Sequence, residues 1–322
     1  MRRWSTVALV AVGAATVLAV LAPFGWPFEL FSHFRAQYAA AAVLLVPICA
    51  WQRRPAFAGL ALVIALWQVL PGAQRALAEA PGAACGAPPF TVATANLQYT
   101  NERRDSFLRW LEAHAPDIVV VQEVTTDWAA ALRGLPAYPH QYLLARTDPY
   151  GIGILSRWPL ESVRAVDFAG DGIPSLVGIA DIRGQRLRLL GLHTHWPILP
   201  RLARARDTAL ERAAELVRGE ELPVVVLGDL NLTPDAPAFG RLIEASGLRD
   251  AVDGRHWRPT WQAGFWPLAL RIDHVLVSTE LCVEHADVGE SIGSDHRPVI
   301  AELRAQHPWT ATRPTAAVAA AD

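Results

Sequence analysis

The apolar residues of this chain are concentrated in its first quarter, where three long stretches follow one another. Ser5 to Phe24, Ala36 to Trp51 and Ala56 to Ala73 contain no charged residue. A helix needs roughly 20 apolar residues, and at least about 17, to cross a bilayer. The second stretch is the shortest and contains Pro47 and Cys49. A cleaved signal peptide would explain only the first. The pattern therefore predicts an all-α membrane region over residues 1–73, with about three spans at these positions.

Arginines in the short flanks of these stretches predict their orientation. Arg2 and Arg3 precede the first stretch, Arg53 and Arg54 lie between the second and third, and Arg35 stands alone between the first and second. The positive-inside bias places the N-terminus and the Arg53–Arg54 turn in the cytoplasm. Three spans then place the rest of the chain outside the cytoplasm. If the second stretch does not span the membrane, the rest of the chain is cytoplasmic instead.

The remaining chain has the pattern of one α/β domain between two segments with little to bury. Residues 74–89 are rich in Ala, Gly and Pro and are predicted to be a linker. Residues 306–322 are predicted to be a disordered tail. Between them, residues 90–305 have the length of a single α/β domain. Short apolar runs bounded by turn residues predict buried strands. These are Phe90–Ala95, Ile118–Gln122, Gly153–Ser156, Leu187–Leu192, Val224–Leu227, His274–Val277 and Pro298–Leu303.

Helical periodicity alternates with some of these strands. Asn101 to His114, Arg201 to Arg218 and Asp235 to Ser246 each carry apolar residues on one face. Strands that alternate with helices, followed by strands with little helix, predict a layered α/β domain.

Charge and cysteine content narrow the function only slightly. The net charge of −2 over 322 residues gives no strong field for a polyanion, so long-range steering of nucleic acid is not expected. Cys85 and Cys282 could pair if the domain is exported. We expect two unpaired thiols, because nothing in the spacing requires a bridge.

Polar side chains follow the predicted strands at the points where the strands end. Asn96 closes the first, Glu123 follows the second, and Asp229 closes the fifth; Asp295 and His296 enter the last. Such strand ends converge on one edge of a sheet, where active-site crevices form.

Each of these residue types suits one task in phosphoester chemistry. Glu123 and Asp295 offer hard oxygen ligands of the kind that Mg²⁺ prefers. Asp229 can orient or deprotonate a water. Asn231 would point to the same side of an extended chain and donate to a phosphate oxygen. His296 can donate to the phosphoryl oxygen or the leaving group, and Asp273 can fix the tautomer of that imidazole.

The order of these residues resembles the endonuclease/exonuclease/phosphatase superfamily. The motifs that carry the resemblance are Asn96, Gln122-Glu123, His193, Gly228-Asp229-x-Asn231, Asp273 and Ser294-Asp295-His296. It covers Phe90 to about Leu303 and excludes the membrane region. It implies a four-layer α/β (α+β) sandwich, with two mixed β-sheets packed face to face and helices outside. It also implies Mg²⁺- or Mn²⁺-dependent hydrolysis of a phosphoester.

The resemblance assigns a role to each site residue. Glu123 would be the main metal ligand, with Asn96 and Asp295 beside it. Asp229 would align or activate the water. Asn231 and His296 would hold the scissile phosphate, with Asp273 supporting His296. His193 falls where relatives have a residue that assists at the phosphate, and we therefore prefer it to His195, which we expect to be a packing residue.

The leading hypothesis is a membrane-anchored phosphoesterase acting on nucleic acid, a phospholipid or a sugar phosphate, with no protein partner predicted. A catalytically silent binding module of the same fold, displayed on the membrane, is the alternative. A transport role for the spans is weaker because they contain no internal charged residue. The aromatic segment from His256 to Leu268 could line the substrate mouth or touch lipid, although packing within the domain is the more ordinary interpretation.

Overall fold

A computed structural model describes residues 2–78, 85–252, 258–262 and 264–306 of the chain. Residues 307–322 of the predicted tail, residues 79–84 of the predicted linker and the His256–Trp257 part of the aromatic segment lie outside these described residues.

The N-terminal region is helical. Helices α1 (Arg2–Val20), α3 (Arg35–Trp51) and α4 (Pro55–Ala78) match the three apolar stretches, and a 3₁₀ turn (Ala22–Phe24) and the short helix α2 (Glu29–Ser32) lie between the first two. Helix α4 continues past the predicted end at Ala73, because the residues that follow include good helix formers.

These helices pack through small residues and leave larger apolar side chains outside. Ala42, Ala61 and Ala65 are buried together with Leu9 and Leu45. Small residues allow helices to approach closely, as they do inside bilayers. Two helical segments are long and apolar enough to cross a membrane, Arg2–Val20 and Pro55–Arg75, whereas α3 has 17 residues and is shorter.

The described residues beyond α4 form twelve strands. They are β1 (Phe90–Asn96), β2 (Ile118–Gln122), β3 (His140–Leu144), β4 (Ile152–Ser156), β5 (Leu160–Val166), β6 (Ser175–Ile182), β7 (Gln185–His193), β8 (Val224–Asp229), β9 (Arg249–Asp250), β10 (Asp273–Val277), β11 (Leu281–Val288) and β12 (Val299–Ala305).

The strands build two six-stranded mixed sheets. The first has the order β11-β12-β1-β2-β4-β3 and the second β5-β6-β7-β8-β10-β9. Side chains such as Val120, Ile152, Leu189 and Val275 fill the layer between the two sheets. This arrangement confirms the predicted pair of mixed sheets packed face to face.

Helices cover the outer face of each sheet and complete four layers. Helices α5 (Arg104–His114) and α6 (Thr126–Leu132) pack on the first sheet. Helices α7 (Pro200–Arg218) and α8 (Pro237–Ser246) pack on the second. Apolar residues on one face of each helix explain why the periodic pattern predicted three of the four.

Five strands were not predicted, and four of these lie at sheet edges. Strands β3, β5, β9 and β11 are the terminal strands of the two sheets, and β6 is the neighbour of β5. An edge strand is partly exposed, so its sequence lacks the continuous apolar run that identifies a buried strand. Strand β5, for example, contains no fully buried residue.

The expectation of two unpaired thiols is wrong: Cys85 and Cys282 form a disulfide across a separation of 197 residues. Cys85 precedes β1 and Cys282 lies in β11, and β12 pairs with both strands. The sheet order therefore brings together two cysteines whose spacing in the sequence gives no sign of contact.

The connection between α1 and α3 is docked onto the sandwich. Glu29 pairs with Arg206 of α7, with their nearest atoms 2.7 Å apart. The Nδ1 atom of His33 lies 3.0 Å from the hydroxyl oxygen of Thr233. The indole of Trp26 donates to the carbonyl of Pro197 over 3.1 Å. Through these contacts the helical region and the sandwich share a packed, partly polar interface.

Candidate functional site

The sheet topology brings five strand termini to one place. Strands β1 and β2 are parallel, with Asn96 opposite Gln122. Strands β7 and β8 are also parallel, with His193 opposite Asp229. Strand β10 runs antiparallel to β8, so its first residue, Asp273, also lies opposite Asp229. The carboxyl ends of parallel strands share an edge, and the two sheets meet face to face at that edge.

Asp229 is the centre of the resulting polar cluster. The side-chain amide of Asn96 donates both to Oε1 of Glu123 (2.9 Å) and to Oδ2 of Asp229 (3.1 Å). The same Asp229 oxygen lies 3.7 Å from Nε2 of His296 and 3.8 Å from Nε2 of His193.

Asp273 completes the cluster behind His296. Its Oδ2 atom lies 2.9 Å from Nδ1 of His296, which is hydrogen-bond distance. Ligand atoms of Asp229, Asp273 and His296 all lie within 4.8 Å of one another, and all three residues are buried. His296 is therefore held between two carboxylates, one on each ring nitrogen.

Asn231 reaches the cluster by a backbone geometry that differs from the predicted extended one. Its φ of 48° is left-handed, a conformation that asparagine tolerates better than most residues. Its backbone N–H donates to Oδ1 of Asp229 over 2.9 Å, and its side-chain amide donates to the carbonyl of Thr194 over 2.9 Å. This turn folds Asn231 back over Asp229, and a second side-chain N–H remains for a ligand.

Two further backbone features shape the site. Gly228 has a φ of 155°, and a Cβ atom there would lie 1.8 Å from the carbonyl oxygen of Leu192. Only glycine therefore fits directly before Asp229. Glu123 has a φ of 61°, which is uncommon for a residue with a side chain, and its Oε2 atom accepts from the N–H of Tyr99 over 2.7 Å.

Asp295 lines the same cavity as Glu123. Its Oδ2 atom accepts from the indole N–H of Trp261 over 3.0 Å, and its backbone N–H donates to Gln98 over 3.2 Å. All eight residues to which the sequence assigned roles thus lie in or directly beside one cavity; Asn96 and Asp273 stand behind its wall.

The two imidazoles of the cluster have opposite environments. Burial alone would lower the pKa of His296, but the carboxylates of Asp273 and Asp229 outweigh it and raise the pKa to about 10. Burial, and then the positive charge of His296, lower the pKa of His193 to about 4. At neutral pH His296 is therefore a cation that can donate, and His193 is neutral.

The carboxyl groups share an excess of negative charge. Burial and the charge of Asp273 raise the pKa of Asp229 above its usual range. Burial also raises the pKa of Glu123, although hydrogen bonds from Tyr99 and Asn96 oppose it. Both shifts reflect carboxylates that have lost water without gaining a full complement of positive charge.

The donor set fits a divalent cation. The described cavity lining contains the carboxylates of Glu123, Asp229 and Asp295, but no Arg or Lys. Carboxylate and amide oxygens in this number suit a hard cation such as Mg²⁺. Asp229, Asp273 and His296 offer ligand atoms within 4.8 Å of one another, and the carboxylates of Glu123 and Asp295 line the same cavity.

Sequence reasoning missed a second group of polar residues at the rim. The hydroxyl oxygen of Tyr150 lies 2.8 Å from Nδ1 of His195, and Nε2 of His195 lies 2.7 Å from Oδ2 of Asp171. The ring of Tyr150 also packs against His193, with centroids 5.4 Å apart. His195 is therefore part of a hydrogen-bonded chain and not only a packing residue. Asp148-Pro149-Tyr150-Gly151 has the composition of an ordinary turn, which gave no sign of this contact.

The cavity itself has a volume of about 630 Å³. Its polar end holds the cluster around Asp229, whereas the rest is lined by apolar residues from both the sandwich and the helical region. Leu30, His33 and Phe34 are the lining residues that the helical region contributes, and nothing in the sequence pattern predicted their presence there.

Comparison with known proteins agrees with this architecture. The family model described as Endonuclease/Exonuclease/phosphatase family matches residues 93–296. The chain belongs to the endonuclease/exonuclease/phosphatase family. Membership supports phosphoester hydrolysis in general terms and is consistent with the Asp229 cluster. No curated protein sequence matches the chain.

Solved structures of the family share the fold. D. rerio TDP2 complexed with a single-strand DNA product superposes with a TM-score of 0.57 at 16% identity, covering 67% of this chain and 99% of that one. The endonuclease/exonuclease/phosphatase from Bacteroides vulgatus gives 0.55 at 18% identity, over 68% and 99%. The family protein from Bacteroides thetaiotaomicron gives 0.55 at 20% identity, over 70% and 99%. At these identities the likeness establishes the fold alone.

Proposed function

We propose that this chain is a membrane-anchored, divalent-metal-dependent phosphoesterase. The observation that carries the proposal is the position of Asp229. The side-chain amide of Asn96 links Asp229 to the carboxylate of Glu123 on one side, and the His296–Asp273 pair lies on the other. A cation site and a proton donor thus face the same buried carboxylate.

Glu123 and Asp295 would hold Mg²⁺ or Mn²⁺, with Asn96 beside them. When bound, the cation polarises a phosphoryl oxygen and stabilises the charge that develops on it. Asn96 also fixes the position of Asp229, because its amide donates to both Asp229 and Glu123.

The remaining cluster residues act on the water and the phosphate. Asp229 accepts a hydrogen bond from the attacking water and orients it. His296, kept protonated by Asp273, donates to a phosphoryl or leaving-group oxygen. Asn231 donates its second side-chain N–H to the phosphate. Neutral His193, with Nε2 facing Asp229, donates or accepts beside the phosphate.

Three spans and an extracytoplasmic domain account best for the helical region. The N-terminal end of α1 and the α3–α4 turn lie together, because Arg54 donates to Thr6 over 2.7 Å and Arg2 to Gln52 over 3.5 Å. The opposite end carries the docked connection, and Arg75 there pairs with Asp235 of the sandwich (2.9 Å). The arginine-rich end would face the cytoplasm, which puts the sandwich on the other side. The Cys85–Cys282 disulfide suits that oxidising side.

Hydrolysis of bis(4-nitrophenyl) phosphate by the full chain in nanodiscs tests the reaction. We expect turnover with Mg²⁺ or Mn²⁺, none with EDTA, and recovery when the metal is restored. His296→Ala should abolish turnover, and circular dichroism should show that the variant still folds. Metal-independent turnover would contradict the proposed chemistry, and metal binding without turnover of any phosphoester would favour the silent binding module.

Alkaline phosphatase fused after Gln306, beyond the end of β12, tests the topology. An active fusion in cells places the sandwich outside the cytoplasm. An inactive fusion, with a cytoplasmic reporter active at the same position, would place it inside and leave two spans as the better account.

A further inference from the structure

The wall of the active-site cavity is built from two parts of the chain that are far apart in sequence. The sandwich supplies its polar end and one apolar side. The connection between α1 and α3 supplies the facing side through Leu30 and Phe34. Helix α3 begins directly after Phe34, at Arg35. The lining of the cavity therefore continues into the start of an apolar helix, and in the proposed topology it lies beside the point at which that helix leaves the bilayer.

Exposed apolar residues also line the cavity. Trp196, Ile198 and Leu268 line the cavity, and their residues are 55%, 46% and 45% exposed. Both loops that carry them are tied to the helical region. Trp26 donates to the carbonyl of Pro197, and Gln37 donates to the carbonyl of Ala269 over 2.8 Å. Aromatic residues such as Trp are enriched at membrane interfaces.

The described lining of the cavity offers little positive charge to a polyanion. No described residue of the lining is Arg or Lys, whereas three lining residues carry carboxylates. Nucleic acids and multiply phosphorylated sugars are gripped by several basic side chains. The polar cluster around Asp229 at one end of the cavity suits a single phosphoryl group, and the apolar remainder of the cavity suits hydrocarbon.

We propose that the substrate is a long-chain lipid phosphoester drawn from the bilayer that the helices cross. Its phosphoryl group meets Asp229 and His296, and its hydrocarbon chain lies between Leu30 and Phe34 on one side and Trp196, Ile198 and Leu268 on the other. This assignment rests on the proposed function and adds the substrate class. The connection between α1 and α3 is then part of the substrate site as well as of the anchor.

Two diesters that share one scissile bond test the hydrocarbon contact. Methyl 4-nitrophenyl phosphate and octyl 4-nitrophenyl phosphate are assayed with the full chain in nanodiscs, with Mg²⁺, below the micelle concentration. We expect kcat/KM to be about 100-fold higher for the octyl ester, which corresponds to burial of about four methylene groups.

Matched variants separate the cavity from the bilayer. Leu268→Ser and Leu30→Ser alter lining residues. Phe265→Ser and Leu199→Ser alter exposed apolar residues that do not line the cavity, in the loops that carry Leu268 and Ile198. Partition of the octyl ester into the nanodisc raises its local concentration for every variant alike. We expect the octyl-to-methyl ratio to fall about fivefold in the first pair and to stay at the wild-type value in the second.

The outcomes distinguish this inference from the proposed function. Equal kcat/KM for the two esters, or the same fall in both pairs of variants, overturns the lipid assignment while metal-dependent hydrolysis stands. If neither ester is hydrolysed, binding of octylphosphonate and methylphosphonate, followed by tryptophan fluorescence, decides the matter. Tighter binding of octylphosphonate that Leu268→Ser weakens and Phe265→Ser does not supports the apolar site, and equal binding overturns it.

Discussion

The helical region and the sandwich bury polar groups in different ways. Between α1 and α4 the contact is neutral: the Gln68 amide donates to the Thr16 hydroxyl over 2.9 Å. Such a bond stabilises the structure by about 0.5–1.5 kcal/mol and leaves no charge behind. The sandwich instead buries the carboxylates of Asp229 and Asp273 beside one imidazole. Neutral pairs hold a fold together, whereas an excess of buried charge that the fold itself does not balance indicates a ligand.

The largest effect should come from removing the charge at the centre of the sandwich site. Asp229→Asn keeps the side-chain size but loses the group that orients the water, and turnover should fall about 10³- to 10⁴-fold. The measurement is kcat for bis(4-nitrophenyl) phosphate at saturating Mg²⁺. Asp127→Asn is the control, since Asp127 is an exposed carboxylate of α6 paired with Arg104. Equal loss in both variants would contradict the role of Asp229.

Substitutions in the interface between the helical region and the sandwich should have the next largest effect, a loss of unfolding free energy. Arg206 is fully buried and pairs with Glu29. Arg206→Met leaves a buried carboxylate without its partner and should cost about 3–5 kcal/mol of unfolding free energy. Adding Glu29→Met should recover part of that loss. The exposed pair of Arg212 with Glu215 gives the control, Arg212→Met, which should change stability by less than about 1 kcal/mol.

A double variant that is less stable than Arg206→Met alone would contradict this prediction. It would show that Glu29 stabilises the fold by contacts other than the ion pair with Arg206.

The disulfide should contribute less than this interface. Cys282→Ser removes the link between β11 and the segment before β1, and we expect a loss of about 2–4 kcal/mol. Chemical unfolding of the full chain, with and without reductant, measures it. Reductant should destabilise the wild type to the level of the variant and leave Cys49→Ser, the substitution of a free cysteine, with the same response as the wild type.

The smallest expected effect is a change with pH in the contribution of Asp250 to the unfolding free energy. Asp250 is paired with Arg271 (2.7 Å) and His274 (3.1 Å). Burial would raise the pKa of Asp250, but Arg271 and His274 outweigh it and hold the pKa below its usual value. Its stabilising contribution is therefore complete above the unfolded pKa near 4 and is lost as the pH falls below it.

The measurement compares the unfolding free energy of Asp250→Asn with that of the wild type over a range of pH. The difference in unfolding free energy should be constant between pH 5 and pH 7 and shrink by about 1.4 kcal/mol per pH unit below about pH 4. A difference that does not change with pH would show that Asp250 contributes through packing and not through charge.

The two regions also differ in what their sequence could predict. The apolar stretches predicted α1, α3 and α4 because composition alone defines such helices. In the sandwich, β2 was predicted with its full bounds, Ile118–Gln122, because every residue in it is buried. The edge strand β5 was missed because its exposed residues break the apolar run.

Site residues at the ends of buried strands could be predicted from the sequence. Those that reach the cavity only through contact between distant segments could not. Asp229 and His193 end parallel strands, a position that the sequence displays. Tyr150 lies in a loop, and Phe34 comes from another region of the chain; only the folded structure brings them to the cavity. The conformation of Asn231 could not be predicted either, because the sequence after Asp229 is compatible with both an extended strand end and a left-handed turn.

Binding of Mn²⁺ measured by calorimetry tests the central claim that one buried acidic cluster holds a catalytic cation. The full chain is compared with Glu123→Gln and with Glu215→Gln, which alters an exposed carboxylate on α7. We predict saturable binding that weakens at least about tenfold in Glu123→Gln and is unchanged in Glu215→Gln, in parallel with turnover. Mn²⁺ binding of equal strength in all three proteins would contradict the account.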